Sequence, residues 1–316
     1  MDRGSLNTLV QAAVLAPSSH NTQPWLFRIR DDTVDLIADR TRALPVNDPN
    51  DRELTISCGC ALFNLRVMAA ALAQRADIEI CPDPQDEDLL ARVRLTRSTE
   101  TESETTLASM IPLRRTYRQR FDDVPVAADT IAALAAAVRA EGAHLDVLAS
   151  PAQRESAAEL IARADTFQWS DPRWRRELAA WMHSRRRHDG LAMPALAVPL
   201  AQLVVRTFDM GGGVGAKDRE LATHSPLLAL VSTSGDSCRD WLATGQALQR
   251  ALLTGVQRGL QASYLNQPIQ VETLRPRLRE LFGGARFPQL LMRWGHASRT
   301  LPASPRRPLA DVVLQD

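Results

Sequence analysis

The sequence has little of what marks secreted, membrane-spanning or nucleic-acid-binding proteins. Its 316 residues include only four cysteines, Cys58, Cys60, Cys81 and Cys238, too few and too scattered for a disulfide framework. The formal net charge is +1, so no basic or acidic excess indicates a nucleic-acid partner. No run approaches the roughly eighteen apolar residues of a membrane span. With 45% hydrophobic and 24% charged residues, the composition is that of a soluble globular protein.

Targeting and metal-binding patterns are also missing. Residues 1–15 contain one arginine, and Asn7, Thr8 and Gln11 interrupt their apolar stretch, which predicts an amphipathic helix and no signal peptide. We therefore expect a cytoplasmic protein. Cys58-Gly59-Cys60 lacks the two-residue gap of zinc and redox motifs, and no second pair accompanies it. No metal site is predicted, and both cysteines are interpreted as small buried helix residues.

The most informative segment is residues 16–25, which read Ala-Pro-Ser-Ser-His-Asn-Thr-Gln-Pro-Trp. Two prolines bracket small and amide-bearing residues, which suits neither a helix interior nor a central strand. Asn21 and Gln23 each offer two donors and an acceptor, enough to bind the edge of a planar heterocycle. An ordinary Asx or Ser turn before a strand is the alternative interpretation.

A second cluster is rich in arginine: Arg114, Arg115, Thr116, Tyr117 and Arg118. Arg114 and Arg118 are four residues apart and share a face if the segment is helical. Two guanidinium groups with the Thr116 hydroxyl between them suit a phosphate dianion. A solvated basic face is the alternative.

Two parts of the chain resemble each other. Gly59-Cys60-Ala61-Leu62 and Gly245-Gln246-Ala247-Leu248 both open long apolar helices, and each helix is followed by a short strand. We interpret them as two diverged copies of one α+β unit, packed helix against helix about a pseudo-two-fold axis. Residues 25–30 and 33–38 predict two strands around an Asp31-Asp32 turn. Between about residues 166 and 219 the pattern becomes irregular, with three tryptophans.

The order of residues in these motifs resembles the FMN-dependent nitroreductase family. That family has a Pro-Ser-Ser-x-Asn-x-Gln-Pro-Trp loop against the flavin and an Arg-x-Ser-x-Arg/Lys segment that binds the phosphate. The resemblance implies a nitroreductase-like α+β fold and an FMN cofactor. It also implies the flavin-binding residues Pro17, Ser18, Ser19, Asn21 and Gln23 in the loop, Arg114, Thr116 and Arg118 at the phosphate, Tyr264, Asn266 and Gln267 in a loop beside the ring, and Arg306 and Arg307 in the tail.

The arrangement of the motifs is similar to the Acg-like branch, in which one chain imitates the dimer and keeps one flavin site. The resemblance implies a first half at residues 1–103 with the flavin loop and a second half at residues 104–316 with the arginine segment. Residues 166–219 would be a lid insert over the flavin. Such an intrachain pseudo-dimer is compatible with a monomer.

The activity implied is NAD(P)H-dependent reduction of a nitroaromatic, a quinone or a similar small acceptor, with no nucleic-acid or membrane partner. The flavin performs the redox chemistry, so no catalytic side chain is required. His20 either donates to a substrate oxygen or holds its loop by a backbone hydrogen bond. The alternatives are an FMN-storage protein whose lid stays closed, and an interaction protein with a decayed site.

Overall fold

The computed structural model describes residues 2–98 and 104–315. The helices within them are, in chain order, α1 (Arg3–Ala13), α2 (Arg52–Ala71), α3 (Ala128–Arg139), α4 (Pro151–Ser170), α5 (Pro172–Ala180), α6 (Val198–Thr207), α7 (Gly211–Thr223), α8 (Cys238–Gln257), α9 (Gln267–Gln270) and α10 (Arg275–Leu281). The strands are β1 (Trp25–Arg30), β2 (Thr33–Ala38), β3 (Gln74–Ile80), β4 (Leu89–Arg97), β5 (His144–Val147), β6 (Met182–Ser184), β7 (Leu191–Met193), β8 (Leu227–Thr233), β9 (Gln261–Tyr264), β10 (Phe287–Gly295) and β11 (Val313–Leu314). The predicted boundary at residue 103 lies outside the described residues.

The first sheet has the strand order β11-β1-β2-β4-β3. Strands β1 and β2 form the hairpin that the sequence predicts, and they join through Asp31, whose φ of 49° is tolerated by aspartate in tight turns. Trp25 and Phe27 on β1 are fully buried. The last strand, β11, pairs parallel with β1, with Phe27 opposite Val313. The C-terminal segment therefore completes a sheet that the N-terminal part of the chain begins.

The second sheet has the strand order β5-β8-β10-β9, and all its neighbouring strands are antiparallel. Every residue of β8 is buried, as the continuous apolar run in its sequence predicts. The chain thus has two units, each with a long helix against a sheet: α2 on the first and α8 on the second.

Helices α2 and α8 are 20 residues each and pack against one another in the centre of the molecule. By length and composition α2 could cross a membrane, and it is the one helix of the described residues that passes this test. Inside the protein, however, 78% of its apolar window is buried. Its apolar circumference is therefore explained by core packing.

Residues 166–219, which we call the cover segment, form regular helices and strands. The irregular structure predicted for them is therefore wrong. They include the end of α4, helices α5 and α6, most of α7, and the parallel pair β6–β7. Pro172 and Pro199 stand in the first turns of α5 and α6, where proline starts a helix and does not break it. Trp169, Ala179 and Val205 form a small core of the segment's own.

The sequence predicts that Ser5 caps the first helix and that Asn50, with Glu53 three residues on, begins the second, and both helices start elsewhere. Helix α1 begins at Arg3 because the side chain of Asp2 accepts a 2.7 Å hydrogen bond from the Ser5 backbone N–H, so Ser5 is not the cap. Helix α2 begins after Asp51 and not after Asn50. Glu53 does not complete a capping box there, because its side chain is buried and turned toward the interior.

Candidate functional site

A cavity of about 520 Å³ lies where both units and the cover segment meet. This volume is in the range of cofactor and small-molecule sites, about 300–1,000 Å³. Most of the predicted binding residues line it: Pro17, Ser18, Ser19, His20, Asn21, Arg114, Thr116, Arg118, Tyr264, Asn266, Gln267 and Arg306. Gln23 and Arg307 do not.

The loop at residues 16–25 is rigid and strained. His20, Asn21 and Gln23 have φ values of 48°, 56° and 54°, in the left-handed region that side chains other than glycine rarely adopt. Ser18 Oγ accepts a 2.9 Å hydrogen bond from the Gln23 N–H, and Ser19 Oγ donates a 2.6 Å bond to Glu53 Oε2. Local side-chain bonds thus fix an unfavourable backbone beside the cavity.

Asn21 and Gln23 hold protein segments together and leave little free for a heterocycle. Asn21 Nδ2 donates to the carbonyls of Gly190 and Pro305, and its Oδ1 accepts a 3.0 Å bond from Arg306 Nη1. Gln23 is fully buried; its Nε2 donates to His188 O and its Oε1 accepts from the Arg307 N–H. The two amides therefore join the loop to the cover segment and to the tail.

The two tail arginines have different surroundings. Arg307 donates to Gln23 O and to Asp39 Oδ2 and lies away from the cavity. Arg306 lines the cavity, although its Nη atoms donate to backbone carbonyls and to Asn21. Burial lowers the pKa of Arg306 to about 9.

The arginine segment is extended and not helical. Thr116 forms a parallel bridge with Ala262, and the Tyr117 N–H donates a 2.8 Å bond to Ala262 O. In an extended chain alternate residues share a face, so Arg114, Thr116 and Arg118 all point into the cavity. Arg293 fixes this conformation from behind, because its Nη atoms donate to the carbonyls of Tyr117 and Gln119.

Arg114 is a buried cation without a carboxylate partner among the described residues. It is 7% exposed, and its Nε and Nη1 make no hydrogen bond. Burial lowers the pKa of Arg114 and of Arg118, and no ion pair to either appears in residues 2–98 and 104–315. A guanidinium removed from water without compensation is costly by several kcal/mol. The position therefore favours a bound anion.

Unsatisfied polar atoms gather around this cavity. Among the described residues, thirteen have a buried side-chain nitrogen or oxygen without a hydrogen-bond partner, and eight of them line it. These eight are His20, Asn47, Arg114, Asp165, Tyr264, Gln267, Arg293 and Arg306. Because buried polar groups are normally paired, their concentration here indicates a site for a polar ligand.

The third predicted segment contributes Tyr264, Asn266 and Gln267. Tyr264 is the last residue of β9, whereas the family resemblance implies a loop position for it. Its buried hydroxyl has no partner among the described residues, and burial raises its pKa. Asn266 Oδ1 accepts from the Leu291 N–H, so its side chain fixes the loop. Gln267 Nε2 donates to Asp165 Oδ1 and Asp218 Oδ2 at 3.2 and 2.7 Å.

His20 reaches the cavity without a hydrogen bond that would anchor it. Its Nδ1 is buried and unpartnered within the described residues, so the backbone hydrogen bond proposed to hold the loop is absent there. Burial lowers the pKa of His20 to about 4, although nearby Glu53 acts in the opposite direction. The imidazole is therefore neutral at pH 7.

The cover segment is fastened on both sides of the cavity. Glu177 accepts the backbone N–H groups of Val46 and Asn47, each at 2.8 Å, and Trp174 Nε1 donates to Asn47 Oδ1 at 2.9 Å. On the other side, Gln168 Nε2 donates to Gln270 Oε1 at 2.8 Å. These contacts hold the cover segment against the cavity.

Several lining residues were missed by the sequence analysis. Glu53 is 3% exposed and accepts hydrogen bonds from Ser19 and Gln270. Asp165 is also 3% exposed, on an α4 face that is otherwise apolar at Ala157 and Ile161. A carboxylate on an apolar helical stripe was the available signal in both cases. In the described part of the chain, no group of three or more His, Cys, Asp or Glu could hold a metal ion.

Comparison with known proteins gives relatives along nearly the whole chain. A Mycobacterium tuberculosis H37Rv protein provisionally named an NAD(P)H nitroreductase is 31% identical over 320 residues, covering 99% of this chain and 92% of the relative. The protein provisionally named NAD(P)H nitroreductase Acg, from the same strain, is 31% identical over 314 residues, covering 97% and 94%. No protein-family model matches the chain.

Solved structures give weaker similarity. The FMN-dependent nitroreductase NfnB of Mycobacterium smegmatis, in complex with NADPH, aligns with a TM-score of 0.46 and 16% identity, over 67% of this chain and 98% of that one. The NADPH:FMN oxidoreductase of Vibrio harveyi, complexed with NAD+, aligns with a TM-score of 0.44 and 12% identity, over 67% and 77%. At these scores, assignment to a family depends on the sequence relatives.

Proposed function

The chain belongs to the NAD(P)H nitroreductase family that includes Acg, and on that premise we propose that it is an FMN-binding oxidoreductase that reduces a small aromatic acceptor with NAD(P)H. The observation that carries the proposal is Arg114, a buried guanidinium facing the cavity with two unpartnered nitrogens and no carboxylate paired to it in the described residues. A phosphate monoester is the anion that suits it.

The phosphate end of the site would be formed by Arg114, Thr116 and Arg118. Their extended backbone presents two guanidinium groups and a hydroxyl on one face. Charge-assisted hydrogen bonds from arginine to phosphate are about twice as strong as neutral ones. Arg306 adds positive charge at the same cavity, where its Nε is unpartnered among the described residues.

The ring end would lie toward Tyr264 and Gln267, whose Oη and Oε1 atoms have no partner among the described residues. These atoms, with the strained backbone at His20 and Asn21, are suited to the polar edge of a flavin. When bound, FMN supplies the two-electron chemistry. The protein's own groups bind and orient, and His20 stays neutral beside the cavity.

We also propose that the two units are copies of one ancestral half, at residues 1–103 and 104–316, arranged as an intrachain pseudo-dimer. The cavity supports this view because Ser18 and Ser19 come from the first half, whereas Arg114 and Arg118 come from the second. We propose further that the protein acts as a monomer, in the cytoplasm, on small molecules.

A second candidate function is FMN storage with little turnover. The cover segment favours it, because Glu177 and Trp174 fasten that segment over the cavity to residues 46 and 47. A cover that stays closed would shield the cofactor from nicotinamide, whereas one that opens would gate it.

An anaerobic NADPH titration of the purified protein, followed by visible flavin absorption, tests both functions. Prompt bleaching is the expected result and means that nicotinamide reaches bound flavin. A flavin band that persists with NADPH and NADH, yet bleaches with dithionite, would replace the reductase with the storage function. Protein that takes up no flavin when incubated with FMN would contradict both.

A further inference from the structure

Two carboxyl groups stand together at the side of the cavity closed by the cover segment. Asp165 on α4 and Asp218 on α7 both accept a hydrogen bond from the same amide nitrogen, Gln267 Nε2. The distance between Asp165 Oδ1 and Asp218 Oδ2 therefore cannot exceed the sum of these two hydrogen-bond lengths. We call Asp165 and Asp218 the carboxyl pair.

The cations near the pair act on it without forming ion pairs among the described residues. Asp165 is 3% exposed, and its Oδ2 has no partner among the described residues. Lys217 and Arg293 line the same cavity, but neither forms an ion pair with Asp165 or Asp218 in the described residues. Arg293 instead donates to the carbonyls of Tyr117 and Gln119.

A shared proton also stabilises the pair. Burial raises the pKa of Asp165 to about 7, and the neighbouring Asp218 carboxylate contributes in the same direction. Burial also raises the pKa of Asp218, although the Gln267 hydrogen bond and the charges of Arg293 and Lys217 act in the opposite direction. With a pKa of about 7, the pair holds a proton in about half of the molecules at neutral pH, and this proton belongs to the pair and not to one residue.

Space for a planar molecule adjoins the carboxyl pair. Trp169 and Trp174 line the cavity with their rings edge to face, 5.4 Å between centroids. Leu178 and Val214 add apolar surface from the same segment. An aromatic acceptor can therefore lie against indole and aliphatic groups with a carboxyl group at its edge.

We propose that the carboxyl pair is the general acid of the reaction and gives its proton to an aromatic acceptor whose two-electron reduction consumes a proton, such as a quinone. This inference rests on the function proposed above. A quinone that receives one hydride and one proton becomes a hydroquinone. The hydride, derived from NAD(P)H, brings both electrons to the ring, and the proton leaves Asp165 or Asp218 for a quinone oxygen. The resulting carboxylate then regains a proton from solvent.

His20 does not compete for this role. It lines the cavity, yet its pKa of about 4 leaves it without a proton to give at neutral pH. The carboxyl pair, with an Asp165 pKa of about 7, is better matched to general acid catalysis at that pH.

The test compares Asp165→Asn with the wild-type protein. Asparagine keeps an oxygen for Gln267 but has no acidic proton, so the fold and the flavin content should be unchanged. The protein is loaded with FMN, reduced with dithionite and mixed with menadione or with ferricyanide in a stopped-flow instrument. Ferricyanide takes one electron and needs no proton. Glu159→Gln, an exposed carboxylate change on the same helix, is the matched control.

We expect Asp165→Asn to slow menadione reduction at pH 7 by about 100-fold, the lower end for general acid catalysis, and to leave ferricyanide reduction unchanged. Wild-type menadione reduction should fall above about pH 7, and the variant should lose this dependence. An equal rate ratio of menadione to ferricyanide in both proteins would overturn the inference. If NADPH does not reduce the flavin of the wild-type protein, only the proposed use of nicotinamide is contradicted, because this assay starts from dithionite-reduced protein.

A second measurement needs no turnover. An infrared pH titration of the wild-type protein should show a protonated-carboxyl C=O band that is lost near pH 7 and is absent from Asp165→Asn. The band should persist in Glu159→Gln. A spectrum in which Asp165→Asn removes no band that titrates near pH 7 would contradict a stored proton at this position.

Discussion

Gly59 on α2 and Gly245 on α8 face each other where the two central helices cross. A Cβ on Gly59 would lie 2.4 Å from Leu242 O, and a Cβ on Gly245 would lie 2.1 Å from Ile56 O. Real Cβ atoms do not approach backbone oxygens so closely. The repeated Gly-x-Ala-Leu segments are thus each other's packing partners, with glycine at the point of closest approach.

Replacing either glycine should destabilise the whole protein. Gly245→Ala places a methyl group against the backbone of α2, which cannot be relieved by a rotamer change, so we expect a loss of about 3 kcal/mol or more in the free energy of unfolding. Gly212→Ala is the control, because a Cβ there meets nothing within 4 Å and alanine favours the helix. Urea denaturation measures both. Equal stability of Gly245→Ala and wild type would show that α2 and α8 are not so close.

Removing the cavity arginines should separate ligand binding from stability. Arg114→Ala and Arg118→Ala should each weaken FMN binding by about 10- to 100-fold, since each loses a charge-assisted hydrogen bond of about 1.5–3 kcal/mol. The flavin-free Arg114→Ala protein should be no less stable than wild type, because a desolvated charge is removed. Fluorescence titration with FMN and thermal unfolding test this. Arg120→Ala, an exposed arginine near Asp123, is the control; unchanged affinity in Arg114→Ala would contradict the phosphate assignment.

Glu177 should control how often the cover segment opens. Glu177→Gln leaves one of the Val46 and Asn47 N–H groups facing an amide NH₂, which costs about 1–3 kcal/mol. We expect faster hydrogen exchange at these two amides and faster bleaching of bound flavin by NADPH. Glu220→Gln, an exposed change on α7, should alter neither. Identical exchange in Glu177→Gln and wild type would show that this contact does not hold the cover segment closed.

Asp165 should make stability depend on pH. Its pKa is about 7 in the folded protein against 3.8 as the ordinary value, so between these values the folded state binds more protons than the unfolded state. Stability from this group is complete below about pH 4 and is lost as pH rises to about 7, by roughly 2–4 kcal/mol. Asp165→Asn should therefore be more stable than wild type at pH 8 and similar at pH 4. Urea denaturation at both pH values measures this. If the free energy of unfolding differs between Asp165→Asn and the wild type by the same amount at pH 4 and pH 8, the raised pKa of Asp165 is contradicted.

Much of the local structure follows from the sequence. The hairpin at residues 25–38 has the predicted bounds, and β8 is the buried strand that its apolar run predicts. The irregular structure predicted for the cover segment is wrong, because the segment consists largely of helices. Pro172 and Pro199 lie in first turns, where proline is favoured, and that position depends on where the helix begins.

The sequence by itself determined which residue types are near the site and the family to which the chain belongs, because motifs and periodicity are local properties of the chain. Only the tertiary structure decided what those residues do. It made the arginine segment extended through a bridge to Ala262, used the Asn21 amide to join the loop to the tail, and placed Asp165 beside Asp218. These relationships join residues far apart in the chain, and they depend on how the sheets, α2, α8 and the cover segment pack, which no short-range pattern encodes.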